Sequence, residues 1–195
     1  VLSRITLASG PAHPTYAGQT WAEVTLMKAR EPAIENGAGV GMEILYEGKV
    51  SAIYHMMVEE DVKRIMQAPF TSIASDGSAV TYGKNVPHLR NYGTYPRVLR
   101  KYVRDEGILS LEQAIHKMTG LPASRIKLKA RGKLAKGMIA DINIFDLDEV
   151  NDNDEWAKPH QYATGFSYVI IGGTPVIDNN ARTEAFPGKV LKRGS

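Results

Sequence analysis

Apolar positions along this chain change their period repeatedly, and each change predicts a different element. Arg4-Ile5-Thr6-Leu7-Ala8 reads as a short strand. After a Gly/Pro-rich loop, Trp21, Val24 and Met27 share one helical face, and Thr20 with Glu23 has capping-box spacing ahead of them. A second helix is expected from about Pro32, weakened by glycines at 37, 39 and 41. Residues 50–56 form a candidate buried strand. Val58, Val62, Ile65 and Met66 then repeat at helical spacing until Pro69. Residues 71–74 read as another short strand, running into Ser75-Asp76-Gly77. Strand, helix, strand in about 25 residues predicts a parallel crossover, whose sites gather at the carboxyl ends of strands.

The next stretch predicts a helix capped by Thr94, with Pro96 in its first turn, a buried face at Val98, Leu99, Tyr102 and Val103, and a stop at Gly107. Ser110 and Gln113 form a second capping box, for a helix through Met118 that ends at Gly120. Beyond Gly132 the period becomes two. Residues 141–145 alternate, and 168–171, Gly172-Gly173 and 174–177 spell a hairpin with a two-residue turn. The order is helices, then mixed α/β, then β.

Composition alters this picture little. An apolar content of 43% and a charged content of 23% are those of an ordinary globular protein, and 195 residues can bury a sizeable core. No apolar run is long enough to span a bilayer, so no membrane partner is expected. The chain opens on Val1-Leu2-Ser3-Arg4 as though already under way, which suggests a fragment. The net charge of +3 is mildly basic. The cluster Arg125, Lys127, Lys129, Arg131, Lys133 and Lys136 lacks interleaved aromatics, so a solvated face is expected rather than nucleic-acid binding. Cysteine is absent, which removes disulfides and thiolate ligands and fits a cytoplasmic location.

Candidate chemistry centres on residues 72–99. Asp76 could be a turn aspartate before glycine. At the end of a buried strand, however, a carboxylate can accept a proton from water and pass it to a leaving amine. Arg90 offers a planar guanidinium suited to a substrate carboxylate, and His88 could assist it. His13, His55, His116 and His160 have no partner at ligand spacing. With no His-x-His or His-Glu-x-x-His pair, no metal ligands are assigned here. The acidic run Asp146, Asp148, Glu149, Asp152, Asp154 and Glu155 fails the calcium-loop pattern, since Val150 takes a ligand position and the turn glycine is missing. It is expected to be a solvated loop.

Ser75-Asp76-Gly77, then Pro87-His88-Leu89-Arg90, then Gly93-Thr94-Tyr95-Pro96-Arg97-Val98-Leu99, resembles the N-acyl-D-amino-acid deacylases (D-aminoacylases) of the amidohydrolase superfamily. Further stretches agree in order: 110–115, 117–123, Ala140-Asp141, Phe145-Asp146, 159–162 and 187–191. The likeness is strong from about Val50 onward and weaker over 1–49. It implies an α/β fold, the C-terminal fragment of a metal-dependent (β/α)8 amidohydrolase barrel with an inserted helical segment and part of a small β-sandwich. On that reading residues 1–52 are the insertion over the active site. Residues 53–131 are the last barrel strands and helices, and 132–195 the C-terminal share of the sandwich.

The resemblance also implies that zinc in the full-length enzyme polarises the amide carbonyl and acidifies water. Asp76 matches the family's catalytic acid/base, and Arg90 the arginine that binds the substrate carboxylate. Leu89 departs from the family's usual proline in His-Pro-Arg. The implied partners are a small N-acyl-D-amino acid and the missing N-terminal part of the same chain. Without that part the fragment is expected to be inactive, to bind no zinc tightly and to self-associate as a homo-oligomer. Two rival readings are a cyclic amidase of hydantoinase or dihydroorotase type, and a stand-alone non-catalytic module.

Overall fold

A computed structural model describes all residues except Pro11, Asp154, Trp156 and Ser195. The chain divides into two units, residues 1–58 with 78–88, and residues 59–77 with 89–195.

In the first unit, β1 (Ile5–Ser9) pairs antiparallel with β2 (Ser51–Tyr54), in a register that sets Thr6 opposite Ile53 and Leu7 opposite Ala52. The expected capping box starts α1 (Trp21–Met27): Thr20 N donates to Glu23 Oε2 at 2.6 Å, and Glu23 N to Thr20 Oγ1 at 3.3 Å. α2 (Ile34–Glu47) runs unbroken through its three glycines, although each costs a helix about 1 kcal/mol against alanine. The compensation is close approach. A Cβ on Gly41 would lie 2.9 Å from the Trp21 ring, and one on Gly37 would lie 2.7 Å from Leu2. Trp21 Nε1 donates to the Gly37 carbonyl at 2.9 Å, across the gap that the missing side chains open. Leu7, Val24, Val40 and Ile44 form the core of this unit, flanked by Tyr16, Trp21 and Val50.

The second unit begins with α3 (Glu59–Gln67) and continues with α4 (Arg90–Arg97), which passes without a break into a π-helical segment (Val98–Asp105). Thr94 does not cap this helix, and Pro96 does not lie in its first turn. The helix begins earlier because Tyr92 N and Gly93 N both donate to the Leu89 carbonyl at 3.0 Å, and the Thr94 hydroxyl bonds back to the Arg90 carbonyl at 3.1 Å. Pro96 therefore sits inside a helix with no N–H to give, and the winding beyond it is wide, with Glu106 N donating to the Lys101 carbonyl at 2.9 Å. α5 (Leu111–Met118) carries the predicted Ser110–Gln113 box, and α6 (Gly120–Arg125) follows it. Met66, Val98, Tyr102, Leu109 and Ala114 make the core, with Val62, Ile73, Val103 and Met118 packed against it.

The chain ends in an antiparallel sheet in the order β3 (Ile142–Phe145), β4 (Phe166–Ile171), β5 (Thr174–Asp178) and β6 (Ala181–Arg182). The predicted hairpin joins β4 to β5. Gly172 and Gly173 have φ of +57° and +86°, the pair of positive values that a two-residue turn of matching twist requires.

Other expectations are corrected. Residues 71–74 form no strand: Ile73 N donates to the Lys117 carbonyl at 3.0 Å, and β2 is occupied antiparallel by β1, so the parallel crossover is not seen among the described residues. The acidic run is not wholly solvated either. The Asp152 side chain is fully buried, with Arg100 Nε donating to it and Arg97 Nη1 3.7 Å away. Arg104 Nη1 donates to the carbonyls of Leu147, Asp148 and Val150 at 2.9–3.0 Å, so arginines on one helix draw this loop inward. Asp154, also part of that run, lies outside the described residues. Among the described residues no helix is long and apolar enough to cross a membrane.

Two stability predictions follow from the packing. Gly41→Ala should destabilise the chain by about 1–3 kcal/mol despite alanine's better propensity, because its Cβ, 2.9 Å from the Trp21 ring, would force the indole to shift. Gly39→Ala, whose Cβ would meet only Arg30 Nη1 at 3.5 Å, should stabilise by up to about 1 kcal/mol. Urea melts that move in the same direction for both variants would refute the close-approach explanation. Glu59 offers a pH test. The Lys101 ammonium, 2.7 Å away, holds its carboxyl below the usual range, with help from the Tyr102 hydroxyl at 2.9 Å. A depressed carboxyl contributes stability above its unfolded pKa and loses it as pH falls through the folded one. Glu59→Gln should therefore cost roughly 0.5–1 kcal/mol near neutrality, solvent screening included, and the gap should close in acid. Thermal melts across that pH range measure it.

Candidate functional site

Asp76 has φ of +47°, a left-handed conformation that aspartate tolerates better than most residues, and it lies in a turn closed by a side chain. Gly77 N donates to Ser75 Oγ at 3.2 Å and closes the turn. Glycine follows for a reason of space: a Cβ there would lie 3.2 Å from the Arg90 carbonyl and 3.3 Å from Asn91 Oδ1. The turn is thus seated against the start of α4, whose first residue is Arg90. Arg90 Nη2 lies 3.0 Å from Asp76 Oδ2, so the two sequence-predicted residues form an ion pair across 14 positions of chain. The Asp76 carboxylate is 85% exposed and the Arg90 side chain 44%, and pairs this open to water contribute about 0–1 kcal/mol. Such a guanidinium can exchange one carboxylate for another at little cost.

His88 belongs to the first unit, half-buried after the buried Pro87. Sequence reasoning missed a partner for His160. The Tyr92 hydroxyl lies 2.9 Å from His160 Nδ1, and the Tyr92 ring stands edge-on to Tyr162 at 5.6 Å. The stretch 159–162 is one of the family-like motifs, but nothing local to it indicates that it meets α4. His55 Nε2 lies 3.2 Å from the Thr6 hydroxyl. Lys117, which the sequence places only in a helical pattern, is buried and bonded to the segment leading to Asp76.

Among the described residues no three or more His, Asp or Glu side chains converge to hold a metal ion. Asp76 supplies one carboxylate where a catalytic metal site uses three or more protein ligands, so the described residues do not make up such a site. What the arrangement offers is an exposed carboxylate able to take or release a proton, beside a guanidinium able to hold an anion.

Comparison with known proteins identifies relatives of this chain. The chain is 44% identical to D-aminoacylase of Alcaligenes xylosoxydans xylosoxydans over 142 residues, 73% of this chain and 29% of that protein. It superposes on a crystal structure of D-aminoacylase with a TM-score of 0.85 and 33% identity, covering 99% of this chain and 39% of that one. It also superposes on an N-acyl-D-glutamate deacylase from Bordetella bronchiseptica, solved with zinc and a phosphonate inhibitor, with a TM-score of 0.79 and 30% identity, covering 99% and 36%. The chain therefore spans roughly a third of the length of the proteins it matches. The amidohydrolase family pattern covers residues 14–177, and the chain belongs to the amidohydrolase family.

Proposed function

We propose that this chain is the C-terminal part of a zinc-dependent hydrolase that removes the N-acyl group from N-acyl-D-amino acids. The observation that carries the reading is the Asp76–Arg90 pair, a proton-transfer group and an anion anchor 3.0 Å apart, in a chain similar to deacylases of acylated D-amino acids. Such a substrate presents two features to this pair. Its amide must be cleaved by water, and its α-carboxylate needs a cationic partner.

Asp76 takes the proton from the attacking water as the C–O bond forms, then delivers it to the leaving nitrogen as the C–N bond breaks. The products are a carboxylate and a free D-amino acid. Arg90 releases Asp76 to bind the α-carboxylate, which fixes the amide relative to the proton carrier. His88 assists in binding the substrate. The zinc is supplied with ligands from residues outside this chain. We assign residues 1–52 to an inserted segment over the active site, 53–131 to the last barrel strands and helices, and 132–195 to a share of the small β-sandwich. Alone, this piece is inactive.

In the full-length protein, Asp76→Asn should lower turnover by roughly 10²–10⁴ while leaving substrate binding nearly unchanged. Arg90→Ala should mainly raise KM, by about tenfold or more, since each lost charge-assisted bond is worth roughly 1.5–3 kcal/mol. A substrate with its α-carboxylate amidated should be strongly disfavoured by the wild type and not by the Arg90 variant. Equal discrimination by both would remove Arg90 as the anchor. Equilibrium dialysis of the 195-residue chain should find no stoichiometric, submicromolar zinc; finding it would refute the division of ligands.

A further inference from the structure

Lys117 is an unusual residue for its surroundings. It lies in the last turn of α5, is 4% exposed, and packs beneath the chain that leaves α3. Its ammonium donates to the carbonyl of Ala68 and, at 3.2 Å, to that of Thr71, while its own carbonyl accepts from Ile73 N at 3.0 Å. One residue thus makes three bonds to positions 68–73, and the last falls three residues before Asp76. Taking an ammonium out of water costs several kcal/mol, and a methionine of similar length would fill the same space without that penalty. What methionine could not do is draw two carbonyls together. Those carbonyls lie just past the C-terminus of α3, the end whose dipole favours a cation.

We propose that Lys117 is a positioning residue for Asp76, an inference that rests on the assignment of Asp76 as the proton carrier. The path 68–76 has no strand ladder to hold it. Lys117 fixes it upstream, Ile73 is packed into the core, and Gly77 seats it downstream against the Arg90 and Asn91 end of α4. Without the ammonium the upstream hold falls to the Arg125 Nη2 bond to the Phe70 carbonyl at 3.1 Å and the main-chain bond from Ile73 N, and Asp76 can drift from the reacting bond while Arg90, held on α4, keeps its place.

The test uses the full-length protein with Lys117→Met and Lys117→Arg, followed by turnover and by hydrogen exchange. Lys117→Met should lower kcat about 10–100-fold, the range expected of a misplacement near 1 Å, with KM within about twofold of wild type. Amide exchange over 68–77 should quicken at least tenfold relative to the β3–β6 sheet. Lys117→Arg, which retains donors for both carbonyls, should recover most of the turnover. Should the methionine variant not fold, Lys117→Leu, which likewise carries no donor, serves the same comparison. Wild-type kcat in Lys117→Met, or exchange that quickens evenly along the whole chain, overturns the proposal. Asp76→Asn measured alongside separates the two claims. Wild-type turnover there overturns the assignment of Asp76, whereas an inactive Asp76→Asn beside a fully active Lys117→Met overturns the role of Lys117 alone.

Discussion

The second unit is organised around a carboxylate that water does not reach. Asp152 has no exposed side-chain surface, and an unpaired charge in that position would cost several kcal/mol. Arg100 and Arg97 supply the compensation from one helix, and the backbone follows the side chain inward. Gly93 allows the approach, since a Cβ there would lie 3.1 Å from Asp152 Cβ. Arg104 extends the seam by gathering three carbonyls of the same loop. The loop so bound joins β3 to β4, and the helix that binds it begins at Arg90. The sheet and the candidate site thus share one electrostatic clasp, and removing Arg100 would leave the buried Asp152 carboxylate without its hydrogen-bonded partner.

In the first unit the same role falls to absence of side chain rather than to charge. Glycines in α2 forfeit helix propensity, and packing of the Trp21 ring over Gly41, with its N–H on the Gly37 carbonyl, returns more than was lost. Propensity gives a weak prior, and a burial contact of that size overrides it.

How far the sequence foretells this structure depends on how local each cause is. Both capping boxes and the Gly172-Gly173 turn were legible because every participant lies within a few residues. The strand expected at 71–74 failed because a strand needs a neighbour, and Ile73 finds its acceptor 44 residues away on α5. The start of α4 was misplaced because Thr94 and Pro96 carry the letters of a helix opening, while the Leu89 carbonyl had already begun one. Asp152 looked like its acidic neighbours, and its burial depends on arginines 52 and 55 residues earlier. The stretches carrying Asp76 and Arg90 were legible as a motif, and the structure sets the two side chains 3.0 Å apart. The clamp of Lys117 was not, since a lysine in a helical pattern gives no sign of what its ammonium meets.

The charges of this unit therefore divide by burial, and the division follows what each is needed for. Lys117 and Asp152 are buried, costly to desolvate and bonded to backbone or to arginines, so they have one stable arrangement. Asp76 and Arg90 are open to water and paired with each other at small net gain, so either can exchange the other for another charged group. Reversing the two would fail on both counts. A buried Asp76–Arg90 pair would resist exchange by several kcal/mol, and an exposed clamp would hold the turn no better than solvent does. The proton carrier we propose must be accurately placed yet able to change partners, and anchoring its backbone through a buried lysine while leaving its carboxylate exposed would meet both demands.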